Sequence, residues 1–153
     1  MSEQDKKKLT TSQLLTIIRS SKTFSEVDTA LTQAESVPQI GQYIYQLMEK
    51  YKKQPKDVIL QSGFERSYFY HILSGQKIPG RNILLRICFC LQATLTETNL
   101  ALRYAGHAVL YPRIRRDALL IYAINHKYTV RQANQKLIEE GEVPLYQEGK
   151  FYG

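Results

Sequence analysis

The chain has 153 residues, 21 of them basic and 14 acidic, for a formal net charge of +7. Its 43% hydrophobic and 23% charged content excludes disorder as the general state and leaves room for one domain or two small ones. No apolar run approaches the roughly 18 residues of a membrane span, and no apolar stretch follows the lysines of the opening Met-Ser-Glu-Gln-Asp-Lys-Lys-Lys, so neither a membrane helix nor a secretory signal is expected and the cytoplasm is the expected location.

Apolar residues recur at three and four rather than two, which predicts helices almost throughout. Residues 1–8 read as a flexible polar tail. Ser12 can cap a helix to about Ser20, with Leu14, Leu15, Ile17 and Ile18 as its apolar positions, and Ser25-Glu26-Val27-Asp28 opens a second to about Glu35. Pro38 breaks the chain. Ile40, Ile44, Leu47, Met48 and Tyr51 then fall on one face of a helix that starts at Gln39 and ends in the basic run 50–53. Pro55 starts a short helix from Lys56 to Ser62, which stops at Gly63. A second short helix, from about Glu65 to Leu73, stops at Ser74-Gly75, and Pro79-Gly80 separates it from a further helix, Arg81 to Leu91.

Charge is uneven along this order. Residues 1–36 hold five of each sign, 37–112 hold nine basic against four acidic, and 113–153 hold seven against five. The basic excess therefore lies over the short helices, where a polyanionic partner would meet it. Cys88 and Cys90 stand two apart in a helical stretch and point to nearly opposite sides, so they neither pair nor clamp one metal. They read as reduced, structural thiols. His71, His107 and His126 have no metal-ligand spacing, and no metal or cofactor is expected.

Short helices are marginal alone and need one another's apolar faces. Here a helix, a tight Gly turn and a second short helix read as a helix-turn-helix. From Gln54 the segment runs Gln-Pro-Lys-Asp-Val-Ile-Leu-Gln-Ser-Gly-Phe-Glu-Arg-Ser-Tyr-Phe-Tyr-His-Ile-Leu-Ser-Gly-Gln-Lys-Ile-Pro-Gly. With the apolar pair Val58-Ile59, the turn Gly63, apolar Phe64, Phe69 and Ile72, and the exit Ser74-Gly75-Gln76-Lys77-Ile78-Pro79, it resembles the XRE family of lambda-repressor-like helix-turn-helix regulators. The resemblance covers roughly residues 39–100. It departs from the family pattern at Pro55, where the family often has Gln, and at Leu73, where an acidic residue is common.

The resemblance implies an all-α fold: a lambda-repressor-like helix-turn-helix bundle with additional N- and C-terminal helices. Gly63 is expected at positive φ, letting the two helices cross without a Cβ clash. Phe64, Phe69 and Ile72 face inward, and Glu65, Arg66, Ser67, Tyr70 and His71 face outward. In this family that outer face enters the major groove of double-stranded DNA. Arg66 would then pair with a guanine edge, Ser67 with base or phosphate, and Tyr70 and His71 with bases or backbone. Lys56, Lys77 and Arg81 would hold phosphates. Tyr68 reads either way, as core or as groove-facing.

Offsetting the chain by 35 residues aligns 81–111 with 116–146, with identities at Arg81/Arg116, Leu84/Leu119, Leu85/Leu120, Thr94/Thr129, Asn99/Asn134, Leu102/Leu137, Gly106/Gly141, Leu110/Leu145 and Tyr111/Tyr146. Thr94-x-x-Glu97 and Thr129-x-x-Gln132 are capping boxes, and Gly106 and Gly141 look like helix stops. Each copy reads as a helical hairpin, the second stacking on the first and extending one core. Asn99 and Asn134, mid-helix, are expected to hydrogen-bond neighbouring loops. Arg113, Arg115 and Arg116 read as a solvated helix start or as phosphate contacts.

The chain thus divides into an N-terminal tail and helices (1–36), a helix-turn-helix DNA-binding domain (37–112) and a C-terminal helical hairpin packed on it (113–153). Its expected role is a sequence-specific transcriptional regulator, acting as a homodimer because one short helix reads only a few base pairs. The alternative is a protein-interaction module, such as an antitoxin or phage-encoded factor, that keeps the fold and grips a protein partner. Catalysis is not expected, since phosphate-cradling loops, nucleophile elbows and metal clusters are absent from the sequence.

Overall fold

The computed structural model describes residues 8–34 and 39–147, and these are helical with no strand longer than a single bridge. The expected polar tail, apart from Lys8, and the break at Pro38 lie outside the described residues. Among the described residues no helix is long and apolar enough to cross a membrane. The chain divides into two compact units on either side of the Val37–Pro38 bond.

The first unit holds α1 (Thr11–Ser20) and α2 (Phe24–Gln33), packed on each other and tied by a bridge between Leu9 and Ala34. Both helices begin earlier than expected. Thr10 caps α1 in a box with Gln13, and Thr23 caps α2, so Ser12 and Ser25 lie inside their helices. Among the described residues of this unit only Ala30 is buried, while Leu15, Ile18, Phe24 and Leu31 are exposed.

The second unit contains α3 (Ile40–Lys50), α4 (Pro55–Ser62), α5 (Arg66–Leu73), α6 (Arg81–Leu91), α7 (Leu95–Tyr104), α8 (Arg115–Asn125) and α9 (Val130–Glu139). Helix α3 stops at Lys50 rather than running through the basic run. Lys52 turns left-handed (φ +55°) and Lys53 N–H reaches back to the Met48 carbonyl (2.9 Å), closing the helix without glycine. Helix α6 is buried along most of its length, and Ile83, Leu84, Leu85 and Ile87 form the middle of a cluster that runs from Ile40 on α3 to Leu137 on α9. Cys88 and Cys90 are both free and buried in it.

The two sequence copies form the hairpins α6–α7 and α8–α9, and the copies agree down to single hydrogen bonds. Thr94 and Thr129 close capping boxes with Glu97 and Gln132. Asn99 Oδ1 accepts the Leu110 N–H (2.9 Å) as Asn134 Oδ1 accepts that of Leu145 (2.7 Å). Arg81 Nε donates to the Ala108 carbonyl (3.0 Å) as Arg116 Nε donates to that of Val143 (2.8 Å).

Contacts between the copies are reciprocal. Arg81 grips Asp117, the residue beside Arg116, and Arg116 Nη2 donates to Asn82 Oδ1 (2.9 Å), the residue beside Arg81. Helix α6 packs on α9, and α7 on α8. Exchanging one copy for the other leaves these pairings unchanged. That is two-fold pairing within one chain, in place of the translational stacking of a solenoid. Arg115 is exposed at the start of α8, as the solvated reading expects, whereas Arg116 is half-buried between the hairpins. Arg115 pairs with Glu140 (3.0 Å) and Glu142 (2.8 Å), and Arg116 holds the loop after α9.

Candidate nucleic-acid interface

Helix α4 starts with Pro55 at its first position, where a missing N–H costs nothing, and the Asp57 carboxylate accepts the Gln54 N–H (2.8 Å). It ends at Gly63, whose φ of +75° reverses the chain. A Cβ on Gly63 would meet nothing closer than Arg86 Nη2 at 4.0 Å. The glycine is therefore needed for its left-handed backbone and not, as expected, to avoid a clash between helices.

After the turn, Phe64 is buried and packs on both aromatic anchors of α5, stacked on Phe69 (6.3 Å between ring centroids) and edge-on to Tyr68 (6.1 Å). Tyr68, Phe69, Ile72 and Leu73 are all buried, which resolves Tyr68 as core. Four buried positions in eight residues hold a helix that would be marginal alone. Leu73, the departure from the family pattern, is one of them.

The opposite face of α5 is open. Glu65, Arg66, Ser67 and Tyr70 are exposed and His71 is half-buried. Arg66 lies over the Tyr70 ring, one turn away, at 5.7 Å, which holds the long side chain along the helix surface. Ser67 Oγ donates to Glu65 Oε1 (2.8 Å). Lys77, exposed in the loop after α5, lies 5.4 Å from the Tyr68 ring, and its N–H donates to the His71 carbonyl (3.0 Å). Lys56 is exposed on α4. Arg81 differs from the other candidates: its guanidinium is held by Asp117 (3.1 and 3.2 Å) and by the carbonyls of residues 108 and 109. That engagement at the joint between the hairpins leaves it little freedom to hold a phosphate.

Three features of this region escape a reading by pattern. Arg86, inside the apolar run of α6, is buried, donates to the Ser62 carbonyl, and lies between the rings of Phe64 (4.5 Å) and Tyr146 (4.7 Å). It links the α4–α5 turn to the segment after α9. Gly41 lets α3 pass against the C-terminal end of α5. Leu60 on α4 and Ile78 in the loop after α5, 84% and 68% exposed, present apolar side chains to solvent. An arginine in an apolar run, a helical glycine and two isolated apolar residues each fit a bland pattern, and only the packing distinguishes them.

Comparison with known protein families, curated proteins and solved structures gives no match to this chain.

Proposed function

We propose that this protein is a sequence-specific DNA-binding regulator of the lambda-repressor-like helix-turn-helix type, reading the major groove with α5. The observation that carries the reading is the two-sidedness of that helix. Its inner face is fixed by four buried side chains, while Arg66, Ser67 and Tyr70 stand uncovered on the outer one. Eight residues span about 12 Å, a length that fits across a major groove of similar width. Arg66 supplies the paired donors that suit guanine O6 and N7, Ser67 serves base or phosphate, and Glu65 can accept from a cytosine amino group. Lys56 and Lys77 flank the helix as phosphate contacts, and Leu60 and Ile78 suit thymine methyls or sugar edges. The sequence resemblance to XRE regulators and the basic excess over residues 37–112 support the same reading.

Selection of bound sequences from a random duplex pool tests it directly. A defined site should emerge, and gel shifts on that site and on random duplex should separate the roles. Arg66→Ala relaxes preference at one base pair, by about 1–3 kcal/mol, while Lys77→Ala weakens all duplexes alike and lowers the salt slope by about one. No enrichment, together with no salt-dependent binding to any duplex, overturns the proposal and favours the protein-partner alternative.

A further inference from the structure

The two-fold relation between the hairpins makes one surface conspicuous. On the first hairpin, α3 covers α7 and runs antiparallel to it: Tyr43 meets Tyr104 edge-on at 5.0 Å, and seven residues further along α3 Lys50 pairs with Glu97 at 2.6 Å, seven residues back along α7. The 35-residue offset carries Glu97, Leu100, Ala101 and Tyr104 onto Gln132, Gln135, Lys136 and Glu139 of α9. There the corresponding seat is an open groove, lined by Tyr128 and by these α9 residues with Arg131. Arg131, Gln132, Gln135 and Glu139 are exposed along it, and Ile138 is exposed on the same helix.

We propose that this seat is filled by α9 of a second copy of the chain, the two helices antiparallel and crossing at Gln135. The charge pattern selects this occupant. Arg131 and Glu139 lie four residues to either side of Gln135, about 6 Å along the axis in each direction. Neither forms an ion pair among the described residues, whereas the neighbouring Lys136 pairs with Glu140 (3.4 Å). About a two-fold axis through Gln135, Arg131 of each copy faces Glu139 of the other, and both unpaired charges are satisfied twice. Ile138, 51% exposed, then lies against the stem of Gln132 from the other copy, with Tyr128 closing the groove. An interface of one helix per side is at the small end of specific contacts, so a dimer in the micromolar range, weakened by salt, is expected. The inference stands apart from the DNA reading, because self-association requires no nucleic acid.

Sedimentation of the whole protein without DNA tests it. At tens of micromolar the native protein should run at twice its 17.7 kDa chain mass. Arg131→Glu and Glu139→Arg each place like charges together at both ends of the interface and should weaken dimerisation at least tenfold. The double variant restores complementarity and should recover the dimer. Unchanged helical circular dichroism keeps folding separate, since both side chains are exposed. A monomeric native protein, a dimer indifferent to either reversal, or a double variant that stays monomeric overturns the proposal. Binding of any of these variants to a single half-site duplex reports on the α5 reading separately.

Discussion

At Gly41 the backbone of α3 comes so close to the end of α5 that no side chain fits. A Cβ there would lie 2.5 Å from the Leu73 carbonyl oxygen and 2.7 Å from that of Ile72, both rigid backbone atoms. Gly41→Ala gains helix propensity of up to about 1 kcal/mol but must push the two helices apart, an overpacking cost of about 1–3 kcal/mol or more. The expected outcome is a net loss of stability, read as a lower denaturant midpoint at unchanged slope. A neutral or stabilised variant would contradict the close approach. Cys88 and Cys90 make a second test at this scale. Burial pushes both thiols up to about 12, so almost no thiolate exists near neutral pH. A disulfide reagent should leave both unmodified in the native protein and titrate both after denaturation. Rapid native labelling of either would mean that α6 is not the buried helix described. The sequence made the cysteines legible, because two apolar-flanked thiols on opposite sides of a helix leave little but burial. It could not make Gly41 legible, since the atoms that forbid a Cβ there come from a helix more than 30 residues away.

Between elements, the contact of α3 with α7 is held by a cluster around Glu97, whose carboxylate accepts from Lys50 Nζ (2.6 Å), the Tyr51 hydroxyl and the Thr94 N–H (2.9 Å). Burial alone would raise the acid, but the hydrogen bonds from Lys50, Tyr51 and Thr94 outweigh it and bring it down to about 2. The unfolded chain, with an ordinary glutamate near 4.5, takes up this proton more readily than the folded one. The stabilisation is therefore complete above about pH 5 and is lost as pH falls from there toward 2. Glu97→Gln should accordingly cost most near neutral pH, and the gap in melting temperature between native and variant protein should narrow steadily below pH 4.5. A gap independent of pH would remove the charge from the account. Element ends show where periodicity stops being informative. Gly63, Gly106 and Gly141 mark reversals that a reader can find, but Lys52, Gln92 and Lys127 are also left-handed, at φ of +54° to +57°, and nothing in their side chains announces it. At Lys52 that conformation closes the chain back on Met48 through the Lys53 N–H, and so α3 ends earlier than its basic run suggests.

The whole second unit depends on how its two hairpins join, and the internal repeat foretold the pairing but not its symmetry. Identical residues at 35-residue spacing can stack by translation or pair about a two-fold axis, and the choice rests on inter-copy contacts at positions 82 and 117, where the copies differ. That difference makes the two equivalent arginines unequal. Asp117 is buried, with a side chain 4% exposed, and it serves both Arg81 and the Tyr111 N–H. Arg81→Met leaves that carboxylate without its counter-charge, a loss of about 3–5 kcal/mol by the usual cost of breaking a buried pair. Arg116→Met leaves only the neutral Asn82 amide and two loop carbonyls to be hydrated, so about 1–2 kcal/mol is expected. Adding Asp117→Asn to Arg81→Met should recover much of the larger loss, because the buried charge goes with its partner. Equilibrium denaturation of the three variants measures the difference, and equal losses from the two arginines would mean that the joint is symmetric in energy as well as in shape.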